Sequence, residues 1–330
     1  MPRLSIIIPV LGSTNQFEEG LVSVLQHRPA DSELVVVLRG EYDDPYNLRD
    51  EDVRFVHVAS GADDLAMLNR GIAVAAGDIV HLLACGAQVG EQWADHALRH
   101  FDDPQIAAVA PLVIDAARPE RILSAGVSFS RGGVARWSLN GKLVASAPAT
   151  AQPILGPSTV AGFYRAATLF DVKNELDSSV GTSLADIDLA LQLQAAGCHA
   201  VIEPASHVII AADLVNRPHR GIATARQSEK LFWRHLPSTG KLGAIARHAM
   251  SVAGEALIGI PTGRIIGQLQ ARFGGVIDAL GERFGRRSRP VPAEREPAAT
   301  NQPSSLRIDS AHPRRRRQVA EPQRPLRRSA

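Results

Sequence analysis

Aromatic residues and cysteines are scarce in this chain of 330 residues. Only 5% of the residues are aromatic, so aliphatic side chains must fill the core of a sequence that is 45% hydrophobic. The two cysteines, Cys85 and Cys198, are too few for a disulfide framework and favour a reducing compartment. This composition excludes the small disulfide-stabilised class of secreted domains and predicts a sizeable globular core.

Long apolar runs and common ligand-binding fingerprints are also missing. No run is long enough to span a bilayer, and the N-terminal apolar stretch lacks the length and cleavage site of a signal peptide. The eleven histidines show no metal-ligand spacing, and the glycines form neither a phosphate loop nor a dinucleotide fingerprint. We therefore expect a cytoplasmic protein with no metal site that the sequence identifies.

Charge is distributed unevenly along the chain. Residues 286–330 contain 12 arginines and four acidic residues, a net charge of +8, whereas 1–285 contains 24 basic and 30 acidic residues. The Arg/Pro-rich tail is predicted to be disordered. Its arginines suit nucleic acid or anionic lipid, but no aromatic residue separates them, so nucleic-acid binding is not expected. A solvated tail without a partner is the alternative.

Apolar strand-like runs alternate with helical patterns over the first third of the chain. The runs predict strands at 4–10, 33–38, 54–58, 79–83 and 106–114, with helices at 17–26, 63–76 and 91–100. This alternation predicts an α/β fold with a mainly parallel sheet and right-handed crossovers. Strands 4–10, 33–38 and 79–83 are expected to be neighbours, and ligands bind beyond the carboxyl ends of such strands.

The later part of the chain has a different pattern. It predicts a hairpin at 126–137, a helix at 184–196, short strands at 200–202 and 208–210, and helices at 223–235, 240–260 and 262–284. We therefore divide the chain into a first domain at 1–216, a helical extension at 217–285 and the tail at 286–330.

The helix at 262–284 has one continuous apolar face at helical period. Two interpretations of this face are open. It packs against the body of the protein, or it lies in a membrane interface while the arginines of the tail contact anionic lipid. The second interpretation predicts a peripheral protein on the inner face of the membrane.

Several short segments resemble the family 2 glycosyltransferases, which have the GT-A fold, in their order and spacing. They are LSIIIPV at 4–10, ELVVVLRG at 33–40, LNRG at 68–71, AAGD at 75–78, SAGV at 124–127, GFYR at 162–165, ADIDL at 185–189, AG at 196–197, EP at 203–204 and SEKLFWR at 228–234. The resemblance covers about 4–236. It implies transfer of a sugar, with inversion, from a nucleotide-sugar donor to a glycan or lipid-linked acceptor.

The acidic residues that such enzymes use are largely replaced in this chain. Family members hold Mg²⁺ or Mn²⁺ and the donor diphosphate with an Asp-x-Asp sequence, and here that position reads Ala84-Cys85-Gly86. Neither Ala nor Gly has an oxygen ligand, and a thiol suits these hard cations poorly. Asp50 and Asp52 have the right spacing but precede a strand, so we interpret them as a solvated turn. No metal ligand is therefore assigned.

Asp186 is the acidic residue of the family pattern that this chain retains. The resemblance implies that it is the general base that deprotonates the acceptor hydroxyl. The alternative is a carboxylate that stabilises a helix N-terminus. Asp188, two residues later, is interpreted as structural.

The resemblance also places donor contacts at the strand ends. We assign nucleotide-sugar binding to Pro9, Val10, Arg39, Asn69, Cys85 and Gly86. Arg39 either supplies positive charge in place of a metal or is an exposed surface residue, and Asn69 either contacts a donor phosphate or caps its own turn. A catalytically inactive scaffold, or a membrane-associated adaptor, is the alternative function.

Overall fold

The structure is a computed structural model that describes residues 3–42, 48, 53–171, 176–215, 222–237, 239–259 and 265–287. Its strands are β1 Leu4–Pro9, β2 Ser32–Leu38, β3 Val53–His57, β4 Ile79–Leu82, β5 Gln88–Val89, β6 Ile106–Asp115, β7 Arg118–Ser124, β8 Val127–Phe129, β9 Ala135–Trp137, β10 Gln152–Ile154, β11 Phe163–Arg165 and β12 His199–Ile210. Its α-helices are α1 Thr14–His27, α2 Asp64–Val74, α3 Trp93–Leu98, α4 Ala166–Asp171, α5 Ala185–Ala195, α6 Ile222–Arg234, α7 Lys241–Gly259 and α8 Ile265–Arg287.

One large sheet organises the described residues. Its strand order is β10-β12-β6-β11-β4-β1-β2-β3, with β5 added to β12 and β7 added to β6. β1 pairs in parallel with both β2 and β4, so the predicted neighbours are confirmed. The longest ladders are parallel, whereas β11 runs antiparallel between β4 and β6. The predicted α/β fold is confirmed.

The continuous apolar runs are explained by burial on both faces of the sheet. In β1, Ile6 and Ile8 pack with the core that includes Phe17 of α1, whereas Ile7 packs with the core that includes Leu65 of α2. α2 lies so close to β1 that a Cβ at Gly71 would overlap the Ile7 side chain. The two helices are thereby fixed on opposite faces, and each begins near the end of a strand.

The helices α1 and α2 each begin at a side-chain cap. Ser13 caps α1 and forms a capping box with Gln16, and Asp63 accepts a hydrogen bond from the Ala66 N–H at 2.7 Å to cap α2. Both caps stand in loops that follow strands. They therefore fix the N-termini of α1 and α2 at the carboxyl edge of the sheet.

Two predicted elements differ from the structure. The helix predicted at 91–100 is α3, Trp93–Leu98, because Gln92 has a left-handed φ of 59° and cannot belong to the helix. The strands predicted at 200–202 and 208–210 are one strand, β12. Its pairing with β6 shifts register between Glu203 and His207, and this irregularity accommodates Pro204 within the sheet.

The three C-terminal helices are joined by buried polar contacts. Glu229 of α6 accepts hydrogen bonds from His248 of α7 at 2.9 Å and from Arg272 of α8 at 2.5 Å. Met1–Arg287 forms one compact unit. Among the described helices, none combines the length and the apolar character needed to cross a bilayer.

Two of the sequence predictions concern residues that the structure does not describe. They are the solvated turn at Asp50 and Asp52, and the tail beyond residue 287. Residues 286 and 287, which the sequence assigns to the tail, continue α8.

Candidate functional site

The carboxyl ends of β1, β2, β3 and β4 lie at one edge of the sheet because these strands are parallel. The chain is held there after each strand, since the Val10 N–H donates to Val37 O at 2.9 Å and the Leu83 N–H donates to Ile7 O at 3.0 Å. The predicted site residues Pro9, Val10, Arg39, Cys85 and Gly86 all stand at this edge or in the loops that leave it. We call it the donor edge.

Cys85 connects two loops of the donor edge. Its side chain is buried, and its sulfur accepts hydrogen bonds from the backbone N–H groups of Leu11 and Gly12 in the loop after β1. Burial raises the pKa of the Cys85 thiol, although these two N–H groups oppose the rise. The thiol is therefore protonated at neutral pH, and it packs as a small apolar group.

Gly86 is covered by a residue that the sequence does not single out. A Cβ at Gly86 would lie 3.0 Å from Cδ1 of Leu214, which belongs to the 3-10 helix Ala212–Leu214 after β12. Leu214 packs on the same core as Val10 and Ala84. Aliphatic groups and a thiol therefore line the position where the family pattern has Asp-x-Asp.

These side chains do not fit Mg²⁺ or Mn²⁺, which need several oxygen ligands. Across the part of the chain that the structure describes, no cluster of three or more His, Cys, Asp and Glu side chains is arranged to hold a metal ion. The charged side chains that the donor edge does offer include Arg39, at the end of β2, and its partner Asp64. A metal-dependent reaction is therefore not supported by the residues at this edge.

Arg39 is the cation at the end of β2. It forms an ion pair with Asp64, the first residue of α2, and about a third of its side chain is exposed. Its buried Nε has no hydrogen-bond acceptor among the described residues. Arg39 is thus neither a fully exposed surface residue nor a free cation, because Asp64 orients it and offsets part of its charge.

Asn69 is placed differently from the other predicted donor contacts. Its Nδ2 donates to Leu176 O at 3.0 Å, and its Oδ1 accepts from the Leu176 N–H at 2.7 Å. The amide therefore holds a distant loop against α2. In these two hydrogen bonds the amide contacts Leu176 and not its own turn.

Asp186, the second residue of α5, is buried and hydrogen-bonded. Its Oδ2 accepts from Nε1 of Trp137 in β9 at 3.0 Å, and its Oδ1 accepts from the Ile187 N–H at 2.8 Å. Burial raises the pKa of Asp186 to about 7, although the Trp137 and backbone hydrogen bonds oppose the rise. A carboxylate with this pKa can accept a proton at neutral pH. With 2% of its surface exposed, it meets an acceptor only if the surrounding segments open.

A short segment before β11 connects Asp186 with the donor edge. The backbone of Thr159 hydrogen-bonds to the Asp186 carboxylate. The next residue, Val160, accepts a hydrogen bond from the Ala84 N–H at 2.7 Å. Two consecutive residues, Thr159 and Val160, therefore connect Asp186 with the loop after β4. Sequence reasoning did not identify this segment. Its Gly-Pro-Ser-Thr sequence indicates only a loop.

Asp188 has the structural role that the sequence indicates. It is 1% exposed, and it accepts hydrogen bonds from Arg234 at 3.0 Å and from His235 at 2.7 Å. Arg234 also pairs with Asp177 at 2.8 Å. These contacts fasten the end of α6 to α5, the helix that also carries Asp186.

His81 is a buried polar residue that sequence reasoning did not single out. It stacks on Phe163 with ring centroids 3.7 Å apart, and its Nε2 accepts a hydrogen bond from Trp93 at 3.4 Å. Burial lowers the pKa of His81 to about 3. The ring is therefore neutral, and it belongs to the core under the donor edge.

Comparison with known proteins gives similarity of structure without similarity of sequence. No protein-family model matches the chain, and no curated protein matches it. The structure of GalNAc-T7 with UDP, GalNAc and Mn²⁺ matches 71% of this chain and 47% of its own, with 13% identity and a TM-score of 0.53. This chain therefore spans about half the length of that structure.

A second similar structure is that of S. aureus TarS, residues 1–349. The two structures match over 86% of this chain and 82% of the TarS chain, with 13% sequence identity and a TM-score of 0.54. At such identities the likeness concerns the fold alone. The chain has the GT-A fold found in glycosyltransferases.

Proposed function

We propose that this protein is a glycosyltransferase that takes a nucleotide sugar as donor and a glycan or a lipid-linked molecule as acceptor. The observation that carries the proposal is the GT-A sheet itself, whose parallel strands β3-β2-β1-β4 end together at the donor edge. Open parallel sheets bind ligands at this edge. The similar structure of GalNAc-T7 contains UDP, which supports a nucleotide as the ligand here.

The proposed reaction does not use a divalent cation. Arg39 is placed at the end of β2 with its Nε lacking an acceptor among the described residues. A guanidinium can bind a diphosphate through two hydrogen bonds and offset the charge that develops as the diphosphate leaves. In this proposal a donor diphosphate competes with Asp64 for the Arg39 side chain.

Asp186 is the proposed general base. It takes the proton from an acceptor hydroxyl, whose oxygen forms a bond to the anomeric carbon as the bond from that carbon to the nucleoside diphosphate breaks. Attack opposite the leaving group inverts the anomeric configuration. The pKa of about 7 suits this proton transfer, and the Thr159-Val160 contact supports a position next to the donor edge.

A non-catalytic scaffold is the second candidate function. Two observations favour it: the Cys85 and Leu214 side chains fill the position of the family's acidic pair, and the Asp186 carboxylate is already satisfied by Trp137 and Ile187. A protein that keeps the GT-A sheet but binds no nucleotide would have these features.

A thermal-shift experiment separates the two functions. We expect UDP-sugars or GDP-sugars to raise the melting temperature, because a ligand at 100 times its Kd stabilises the folded state by about 2.7 kcal/mol. Arg39→Met should reduce this shift. Arg54→Met is the matched control, since Arg54 lies on the neighbouring strand β3 and contacts only Val74 O in the hydrogen bonds described. No shift with any nucleotide sugar would support the scaffold.

A further inference from the structure

A row of exposed apolar side chains runs along α8. Ile266, Leu269, Phe273, Ile277 and Leu280 are between 45% and 70% exposed. Their spacing of three or four residues places them on one face of the helix, over a length of about 21 Å. We call this set the apolar row. A surface of this kind marks an interaction site when it is contiguous.

The apolar row is held away from the protein body by the opposite face of α8. On that opposite face, Gly275 and Ala279 are buried, and a Cβ at Gly275 would overlap the backbone of Arg226 in α6. Arg226 also forms a two-bond ion pair with Asp278, at 2.7 and 3.0 Å. Because α8 is fixed in this orientation, it cannot rotate to bury the row. The structure therefore does not support the interpretation in which this face packs down.

The charge that follows α8 in the sequence indicates the kind of surface that would cover the row. α8 ends at Arg287, and residues 286–330 carry 12 arginines and a net charge of +8. The apolar side chains of the row are stabilised by transfer from water into hydrocarbon. The arginines are stabilised by negatively charged groups. A bilayer that contains anionic lipid provides both along a straight helix.

We propose that the apolar row of α8 is the membrane-contact surface of this protein, and that the arginines of 286–330 hold it to anionic lipid. The row enters the interfacial region of the bilayer while the arginines remain with the head groups. This contact is peripheral, in agreement with the absence of a spanning helix among the described residues. The inference does not depend on whether the protein transfers a sugar.

Vesicle co-sedimentation of the full chain tests the proposal. We expect the protein to sediment with vesicles of phosphatidylcholine and phosphatidylglycerol, and at least tenfold less with phosphatidylcholine alone. Binding should weaken about tenfold when NaCl rises from about 0.05 M to about 0.5 M, because salt screens the arginines. Replacing the four arginines at 314–317 by Gln should weaken binding in the same direction.

A double variant tests the row itself. The double variant Phe273→Asn, Ile277→Asn should reduce binding to anionic vesicles at least tenfold. It lacks two large apolar side chains whose transfer from water into the bilayer favours binding. Val22→Asn is the matched control, since Val22 is 53% exposed on α1, and it should bind like the unchanged protein. Circular dichroism melts confirm that the variants are folded.

Three results would overturn the proposal. One is the absence of sedimentation with either kind of vesicle. Another is binding that the double variant leaves unchanged, which would assign the contact to the arginines alone. The third is a change of oligomeric state in the double variant without loss of vesicle binding, measured by sedimentation velocity, which would assign the row to a second copy of the chain.

Discussion

Asp186→Asn is expected to reduce sugar transfer by about 10²- to 10⁴-fold, because an amide cannot take the acceptor proton. Donor affinity should change little, since the hydrogen bonds of Asp186 go to Trp137 and backbone groups, whereas Arg39 pairs with Asp64. Hydrolysis of the donor with water as acceptor provides the rate, and calorimetry provides the affinity. A loss of rate at constant donor affinity identifies a group that acts in the transition state.

The pH dependence of stability provides a second readout for Asp186. Its pKa is about 7 in the folded protein and has an ordinary value of 3.8 when the residue is exposed. Between these values the folded protein binds one proton more than the unfolded chain. The free energy of unfolding therefore falls as pH rises through this window, by up to about 1.4 kcal/mol per pH unit. Asp186→Asn should remove this contribution.

A companion variant separates the base role from a structural one. Trp137→Phe removes the indole hydrogen bond that lowers the pKa of Asp186, so the pH at which the rate reaches half its maximum should move upward. If Asp186→Asn keeps the rate of donor hydrolysis and only lowers the melting temperature, Asp186 is a structural carboxylate and the proposed base is wrong.

Asp188→Ala is expected to lower the free energy of unfolding by about 3 kcal/mol. The reason is that Arg234 and His235, which are nearly buried, lose the carboxylate that they share. The side chains of these two partners are only 10% and 13% exposed. Arg234 keeps Asp177 as a partner. The free energy of unfolding should therefore fall by an amount at the lower end of the range of about 3 to 5 kcal/mol that is typical when a buried ion pair is broken. Urea unfolding provides the measurement.

Asp278→Ala is the matched control for Asp188→Ala. Asp278 also pairs with an arginine of α6, but the pair is surface-exposed, with side chains that are 57% and 35% accessible. Exposed pairs contribute less than about 1 kcal/mol. Equal effects of the two variants would show that burial does not govern the attachment of α6.

The elements that the sequence predicts well are those governed by local pattern. The β-branched runs of β1 and β2 are continuous because helices cover both faces of the sheet, and the capping residues Ser13 and Asp63 act within one helical turn. Where a local backbone feature has no distinct residue pattern, prediction fails. The left-handed Gln92 and the irregular pairing after Glu203 are two such places.

The candidate site is less predictable because it depends on contacts between distant residues. The hydrogen bond between Trp137 and Asp186 joins residues that are 49 positions apart in the sequence, and the one between Asn69 and Leu176 joins residues that are 107 positions apart. Leu214 covers Gly86 from the far end of β12. Each partner is an ordinary residue in its own segment, so neither periodicity nor motif spacing indicates that the fold brings it to the site.

We propose that the donor edge binds a nucleotide sugar with Arg39 in place of a divalent cation. Calorimetric titration of UDP, GDP and their sugar derivatives, each in EDTA and again in excess Mn²⁺, tests this claim most directly. We predict the same Kd with and without the metal, and a weaker one for Arg39→Met. Binding that requires Mn²⁺, or affinity that Arg39→Met leaves unchanged, would contradict the claim.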